Sequence, residues 1–153
     1  MATKADALDF ADLTEGRSES GSVSSSTRGL FCGGGAPSGT APKSIIDSIT
    51  IASKGNATFF GNLTNTRGQL GGGVSDGIRG VVAGGYASPI HKKGIDIFTF
   101  ASEGNATSFG DLSNGRLGHT GYSSSTRGIF GGGHPSVNII EYVEINTLGN
   151  AVD

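Results

Sequence analysis

The chain has 153 residues, a formal net charge of −2, 28 glycines and a single cysteine, Cys32. One cysteine excludes an intrachain disulfide, the slight acidity argues against nucleic-acid binding, and no apolar stretch is long enough to span a membrane. The first residues lack the apolar segment of a secretion signal, so we expect a soluble protein made in the cytoplasm, with neither nucleic acid nor membrane as partner.

The sequence contains three copies of one repeat, at about 9–55, 56–104 and 105–149, in a single domain over 1–153. Each copy opens with the pattern Phe-x-x-Leu-x-x-x-Arg. The matching residues are Phe10, Leu13 and Arg17, then Phe60, Leu63 and Arg67, then Phe109, Leu112 and Arg116. Gly, Ser, Thr and Asn dominate and no apolar run has helical spacing, which favours strands and turns.

In chain order, each copy continues with a Ser/Gly-rich stretch, an apolar run closed by Gly-Gly, and an alternating strand with an acidic residue. For the first copy we predict four short strands: one after Arg17, one ending at Gly34, one over 45–52 and one near 57–63. Alternation at period two marks the third strand as half-buried. Four strands in sequence order predict an antiparallel meander.

The apolar run with Gly-Gly, the acidic strand and the aromatic-x-x-Leu segment before an arginine resemble the kelch repeat of β-propellers. Phenylalanine stands here where kelch repeats usually carry Trp, and Tyr86 follows Gly-Gly as in those repeats. The resemblance implies an all-β fold of three four-stranded kelch-like propeller blades. The Gly/Ser/Thr-rich repeats also resemble stretches of tailed-phage virion proteins, which implies association with a virion.

Residues 8–13 read as the fourth strand of a blade whose other strands are absent, while the sequence ends early in the next fourth strand. Propellers use about four to eight blades, so three blades leave apolar faces and strand edges open. We therefore expect a homodimer that forms one six-bladed propeller, with each N-terminal strand completing a blade at the junction. A three-blade part of a longer protein, a β-solenoid and a trimer are the alternatives.

The loops between second and third strands differ between copies, whereas their flanks repeat. They cover 35–44, 86–94 and 134–138. Variable loops on a rigid scaffold often carry binding residues, and drift of unconstrained loops is the competing explanation. The candidate ligand-binding residues of this loop face are Arg17, Arg67, Arg116, Lys43, Tyr86, His91, Lys92, Lys93 and His134.

The repeated arginines have two interpretations. Each one bonds loop carbonyls or an acidic neighbour, namely Asp47, Asp96 or Glu141, or the three together form a ring that faces an anion. We favour the first, because residues that repeat in every copy usually belong to the scaffold.

Nothing in the sequence predicts an enzyme, a metal site or a cofactor. The three histidines lack metal-ligand spacing and are interpreted as solvated loop residues, and the Gly-Gly-Gly runs as turns rather than phosphate loops. Two functions stay open: a non-enzymatic binding module for a protein or glycan, and a structural component of a phage tail or fibre whose role is self-assembly. A propeller fragment kept only because it assembles is a third.

Overall fold

The computed structural model describes residues 6–35 and 41–153, which form an all-β structure of small antiparallel sheets without a helix. Sheet A is a meander whose strands are adjacent in chain order. It contains β1 (Gly21–Ser24), β2 (Arg28–Cys32), β3 (Ile45–Thr50) and β4 (Thr58–Asn62).

Sheets B and C repeat this arrangement. Sheet B contains β5 (Val74–Ser75), β6 (Arg79–Ala83), β9 (Gly94–Thr99) and β10 (Thr107–Asp111). Sheet C contains β11 (Thr120–Ser123), β12 (Arg127–Gly131) and β13 (Ile140–Glu144). A separate hairpin pairs β7 (Tyr86–Ala87) with β8 (Ile90–His91). In sheet C a single bridge between Tyr142 and Val152 stands at the place of a fourth strand.

Short polar turns fix the registers of the first hairpins. In sheet A, the Oγ of Ser25 accepts from the backbone N–H of Arg28 at 3.0 Å. In sheet B, Asp76 Oδ1 accepts from the backbone N–H groups of Ile78 and Arg79 at 2.9 and 2.6 Å. These side chains replace backbone partners within the turn, so each hairpin is specified locally.

The core lies between the sheets. We call the face of each sheet that carries Phe31, Val82 or Phe130 its front, and the face that carries Leu30, Val81 or Ile129 its back. One buried cluster joins the back of sheet A to the front of sheet B, and a second joins the back of sheet B to the front of sheet C. The three sheets therefore stack in one direction, with the backs of sheets A and B on the fronts of sheets B and C.

Glycine permits this close stacking near the first strand of each sheet. A Cβ atom on Gly73 would lie 2.8 Å from the carbonyl oxygen of Ser22, and one on Gly71 would lie 2.2 Å from that of His119. A side chain at either position would push the segments apart. The Gly-Gly-Gly run at 71–73 thus provides close backbone packing.

The structure differs from the predicted strands in three places. The third strand of the first copy ends at Thr50 rather than 52, because residues 51–53 turn. Residues 8–13 form no strand within the chain, and the carbonyl of Asp12 instead accepts from the backbone N–H of Ala57. The loop at 86–94 contains the hairpin of β7 and β8, and the loop at 35–44 lies partly outside the described residues.

Candidate functional site

Each repeat buries one arginine against a carboxylate of the sheet that follows it. The N–O distances are 2.9 Å for Arg17–Asp47, 2.6 Å for Arg67–Asp96 and 2.6 Å for Arg116–Glu141. All three arginine side chains are at most 1% exposed. Buried charges need such a partner, because an unpaired charge in an apolar interior is costly.

Further donors complete these ion pairs. Thr14 and Thr64 donate their backbone N–H and hydroxyl groups to Asp47 and Asp96, and Ser113 donates its N–H to Glu141 at 2.7 Å. The guanidinium of Arg67 also donates to the carbonyl oxygens of Gly84 and Gly94 at 3.3 and 2.7 Å. The arginines therefore tie the incoming chain segment to the next sheet, and their charged ends are buried in ion pairs.

The loops of the second and third copies bring three aromatic rings together. Tyr86 and His91 face each other across the hairpin of β7 and β8, with ring centroids 5.3 Å apart. The His134 ring stands edge-on to His91, with centroids 5.4 Å apart. Tyr86 and His91 are half-buried, and His134 is exposed. This aromatic cluster of Tyr86, His91 and His134 joins residues of two separate loops.

The lysines of the loop face are placed differently. Lys43 Nζ pairs with Glu15 Oε2 at 3.2 Å, and Lys93 Nζ pairs with Asp111 Oδ2 at 3.1 Å. Both pairs are partly exposed, so water and salt weaken them. Lys92 is half-buried and its backbone N–H donates to the carbonyl of Gly85. The structure thus unites three of the nine candidate residues, in the aromatic cluster.

His119 is buried, so the interpretation that all three histidines are solvated is wrong for this residue. Only 3% of its surface is exposed. Its ring packs edge-on against Phe130, with centroids 5.4 Å apart. Burial, with a smaller contribution from the charge of Arg116, lowers its pKa from 6.5 to about 4. His119 is therefore a neutral packing residue at physiological pH.

Metal-ligating and membrane-spanning features are not found where the structure is described. Within residues 6–35 and 41–153, no group of three or more His, Cys, Asp and Glu side chains is placed to hold a metal ion. The same residues contain no helix with the length and apolar character needed to cross a membrane.

The sequence analysis expected open apolar faces on three blades without naming their residues, and one such face is the uncovered back of sheet C. Its exposed apolar residues are Tyr122, Ile129 and Ile140. The residues at the same repeat positions are buried in sheet A, as Val23, Leu30 and Ile46, and in sheet B, as Val74, Val81 and Ile95. The repeat alignment carried this signal, because an apolar position that is buried in two copies needs cover in the third as well.

A scan of the sequence against protein-family models finds no matching family, and a search of curated proteins finds no significant match.

Proposed function

We propose that the chain is a non-enzymatic interaction module, a kelch-like β-propeller whose loop face binds a protein or glycan ligand. Sheets A, B and C are its blades, and two copies form a six-bladed ring. The regular front-to-back stacking of three similar meanders supports the blades, because propellers are built by such radial repetition. The open ends of the stack support completion by a second copy, since closed two-fold dimers are the commonest oligomers.

The aromatic cluster is the main observation in favour of ligand binding at the loop face. Its rings come from the two loops 86–94 and 134–138, which differ in length and sequence between copies. The frame beneath them is fixed, because backbone bridges pair Gly68 with Tyr86 and Leu117 with His134. Half-exposed aromatic rings combine an apolar face with a polar edge, and such residues dominate binding sites. Rigid support with variable tips is typical of a recognition surface.

The experiment probes the labelled full chain on a printed oligosaccharide array and against a displayed random-peptide library. His134→Ala and Tyr86→Ala test the cluster, and Phe59→Ala, an exposed aromatic on β4, is the matched control. A saccharide or peptide bound by the full chain and the control, but more than about tenfold less by either cluster variant, supports the loop face. The class that binds distinguishes glycan from protein. Binders unaffected by either variant, or no binder in either library, would contradict the proposal.

A second candidate is a structural component of a phage tail or fibre that acts by self-assembly. The uncovered apolar back of sheet C favours it, because exposed apolar patches of this kind mark interaction surfaces. The two candidates differ in what the loop face does: a purely structural component binds nothing there.

A further inference from the structure

The back of sheet C lacks the cover that its counterparts have. Ile46 of sheet A and Ile95 of sheet B are 0% exposed, whereas Ile140, at the same repeat position, is 65% exposed. The difference comes from the neighbours, since the local sequence is apolar in all three copies. The following sheet covers Ile46 and Ile95, whereas no sheet among the described residues covers Ile140.

A backbone N–H directly after β12 of sheet C also lacks the hydrogen-bond partner that its counterparts have. Gly34 N–H donates to the carbonyl of Arg67 at 3.0 Å, and Gly85 N–H donates to that of Arg116 at 2.9 Å. The equivalent N–H, on Gly133, has no backbone partner among the described residues.

The space beside this N–H is empty too. A Cβ atom on Gly33 or Gly84 would lie 2.4 Å from the arginine carbonyl of the next repeat, whereas one on Gly132 meets nothing within 4 Å. The space beside Gly132 and Gly133 is therefore vacant, whereas an arginine carbonyl of the next repeat fills the equivalent space beside Gly33 and Gly34 and beside Gly84 and Gly85.

The segment before sheet A contains a backbone N–H that lacks the partner its counterparts have. Leu63 N–H donates to the carbonyl of Ser44 and Leu112 N–H to that of Lys93, so each linker is bonded to the sheet behind it. Leu13, at the same repeat position, has no backbone partner among the residues the structure describes. By the repeat alignment its missing acceptor is the carbonyl of Asn138 in sheet C.

The front of sheet A is uncovered in the same way. Ile51 is 45% exposed, whereas Phe100 of the second copy is 5% and Ile145 of the third is 1% exposed. Those residues lie at one repeat position, directly after the third strand. Phe10, Leu13, Phe31 and Ile49 line an open groove beside it.

We infer that a second copy of this chain docks its segment 10–17 and the front of sheet A onto the back of sheet C, because Val152 of the first copy already occupies the repeat position of Leu8. In the docked state, Leu13 N–H donates to the carbonyl of Asn138, and Gly133 N–H donates to that of Arg17. Residues 10–13 continue along the edge of β13 beyond the bridge between Tyr142 and Val152. The occupant is a second copy because both halves of this junction occur in the chain, and the chain forms the same junction twice internally, between sheets A and B and between sheets B and C. This inference rests on the proposed function in one respect only: the six-bladed ring sets the number of copies at two.

The register predicts which residues meet. Ile45 lies opposite Asn62 in sheet A, and Gly94 lies opposite Asp111 in sheet B. The equivalent pair across the junction is Ile139 of one copy and Asp12 of the other. Opposed residues of antiparallel strands lie within the Cα distance that a disulfide spans.

The experiment mixes two variants of the full chain that each carry one added cysteine, Asp12→Cys and Ile139→Cys, under mild oxidation and measures the mass by light scattering. Each carries a different tag, so a mixed disulfide joins two copies by construction. Cys32 does not compete, because it is buried and burial raises the pKa of its thiol to about 12.

Ile140→Asp, added to the second variant, places a charge on the junction. Ile78→Asp is the matched control, at 66% exposed on a turn whose equivalents are threonines.

We expect a mixed disulfide that Ile140→Asp reduces more than about tenfold and Ile78→Asp leaves unchanged. The disulfide in a species of twice the monomer mass supports the junction and the six-bladed ring together. The disulfide in a larger species supports the junction and contradicts the six-bladed ring. A dimer without the mixed disulfide overturns the junction and leaves the ring, and a monomer under all conditions overturns both.

Discussion

Leu70 and His119 occupy the same position in consecutive repeats, three residues after the buried arginine, and each packs against paired glycines. A Cβ atom on Gly85 would lie 3.2 Å from Leu70 Cδ2, and one on Gly133 would lie 3.3 Å from His119 Cβ. The second repeat thus places an apolar side chain beside its glycine pair, and the third repeat places an imidazole there. That imidazole must stay neutral because it is buried.

The first prediction concerns acid stability. Burial lowers the pKa of His119 from 6.5 to about 4, with the positive charge of Arg116 adding to the effect and Glu141 opposing it. Between these two values the unfolded chain binds a proton that the folded chain does not, so the stability supplied by the neutral imidazole is full above pH 6.5 and is lost as the pH falls toward 4. The loss amounts to about 3 kcal/mol.

His119→Leu is the matched variant, because the chain itself places Leu70 in the equivalent socket. We expect the difference in unfolding free energy between this variant and the natural chain to grow in favour of leucine as the pH is lowered from 7 to 4. Urea unfolding followed by circular dichroism measures it. A difference that does not change with pH would contradict the neutral, buried imidazole.

The second prediction separates buried from exposed ion pairs. Arg67→Met leaves Asp96 buried without its partner and should cost about 3–5 kcal/mol of unfolding free energy. Arg127→Met breaks the exposed pair with Glu144, whose side chains are 52% and 41% exposed, and should cost about 1 kcal/mol or less. Equal losses in denaturant unfolding would show that the buried arginines do not anchor the sheets.

The third prediction uses two glycines of nearly equal backbone conformation. Gly84 and Gly132 have φ values of 62° and 67°, so alanine strains both alike. At Gly84 the new Cβ also meets the carbonyl of Arg116, and Gly84→Ala should destabilise the monomer more than Gly132→Ala. Gly132→Ala should instead weaken self-association, because the proposed junction places the second copy's Arg17 carbonyl in that space. Thermal unfolding and sedimentation velocity give the two readouts, and the reverse assignment of effects would contradict the junction.

The fourth prediction concerns Cys32. It lies buried on β2, and burial raises the pKa of its thiol to about 12, so little thiolate forms at neutral pH. A thiol reagent should therefore modify it only after the chain opens, and labelling should accelerate in step with the unfolded fraction in urea. Rapid labelling of the folded chain would mean that the contact between sheets A and B opens readily.

The repeat pattern predicted the strands of the three meanders but neither the hairpin of β7 and β8 nor what covers each strand. The alternating residues of β3, β9 and β13 predict half-buried strands, because apolar side chains recur at period two. This is wrong for β3 and β9, which bury consecutive residues such as Ile46 and Asp47 because a neighbouring segment covers each face. The exposure of Ile140 could not follow from that pattern, since Ile46 and Ile95 are equally apolar and differ only in what covers them. Cover is a property of the next sheet, which local sequence does not encode.

The candidate site was predicted in part. The acidic neighbours of the arginines were named from the sequence because one charged pair recurs in each copy. The contact between His91 and His134 was not, because it joins two loops far apart in sequence. The interpretation of His119 as solvated was wrong, although alignment with Leu70 places it at an apolar repeat position.

Self-association through sheet C is the central claim, and absolute mass in solution tests it most directly. Light scattering on a size-exclusion column compares the full chain with a variant that lacks residues 1–13, after circular dichroism shows both to be folded. We predict a full chain of about twice 15.4 kDa and a truncated chain that is monomeric, because the segment that docks on sheet C has been removed. A folded full chain that stays at 15.4 kDa, or a truncated chain that still dimerises, would contradict the account.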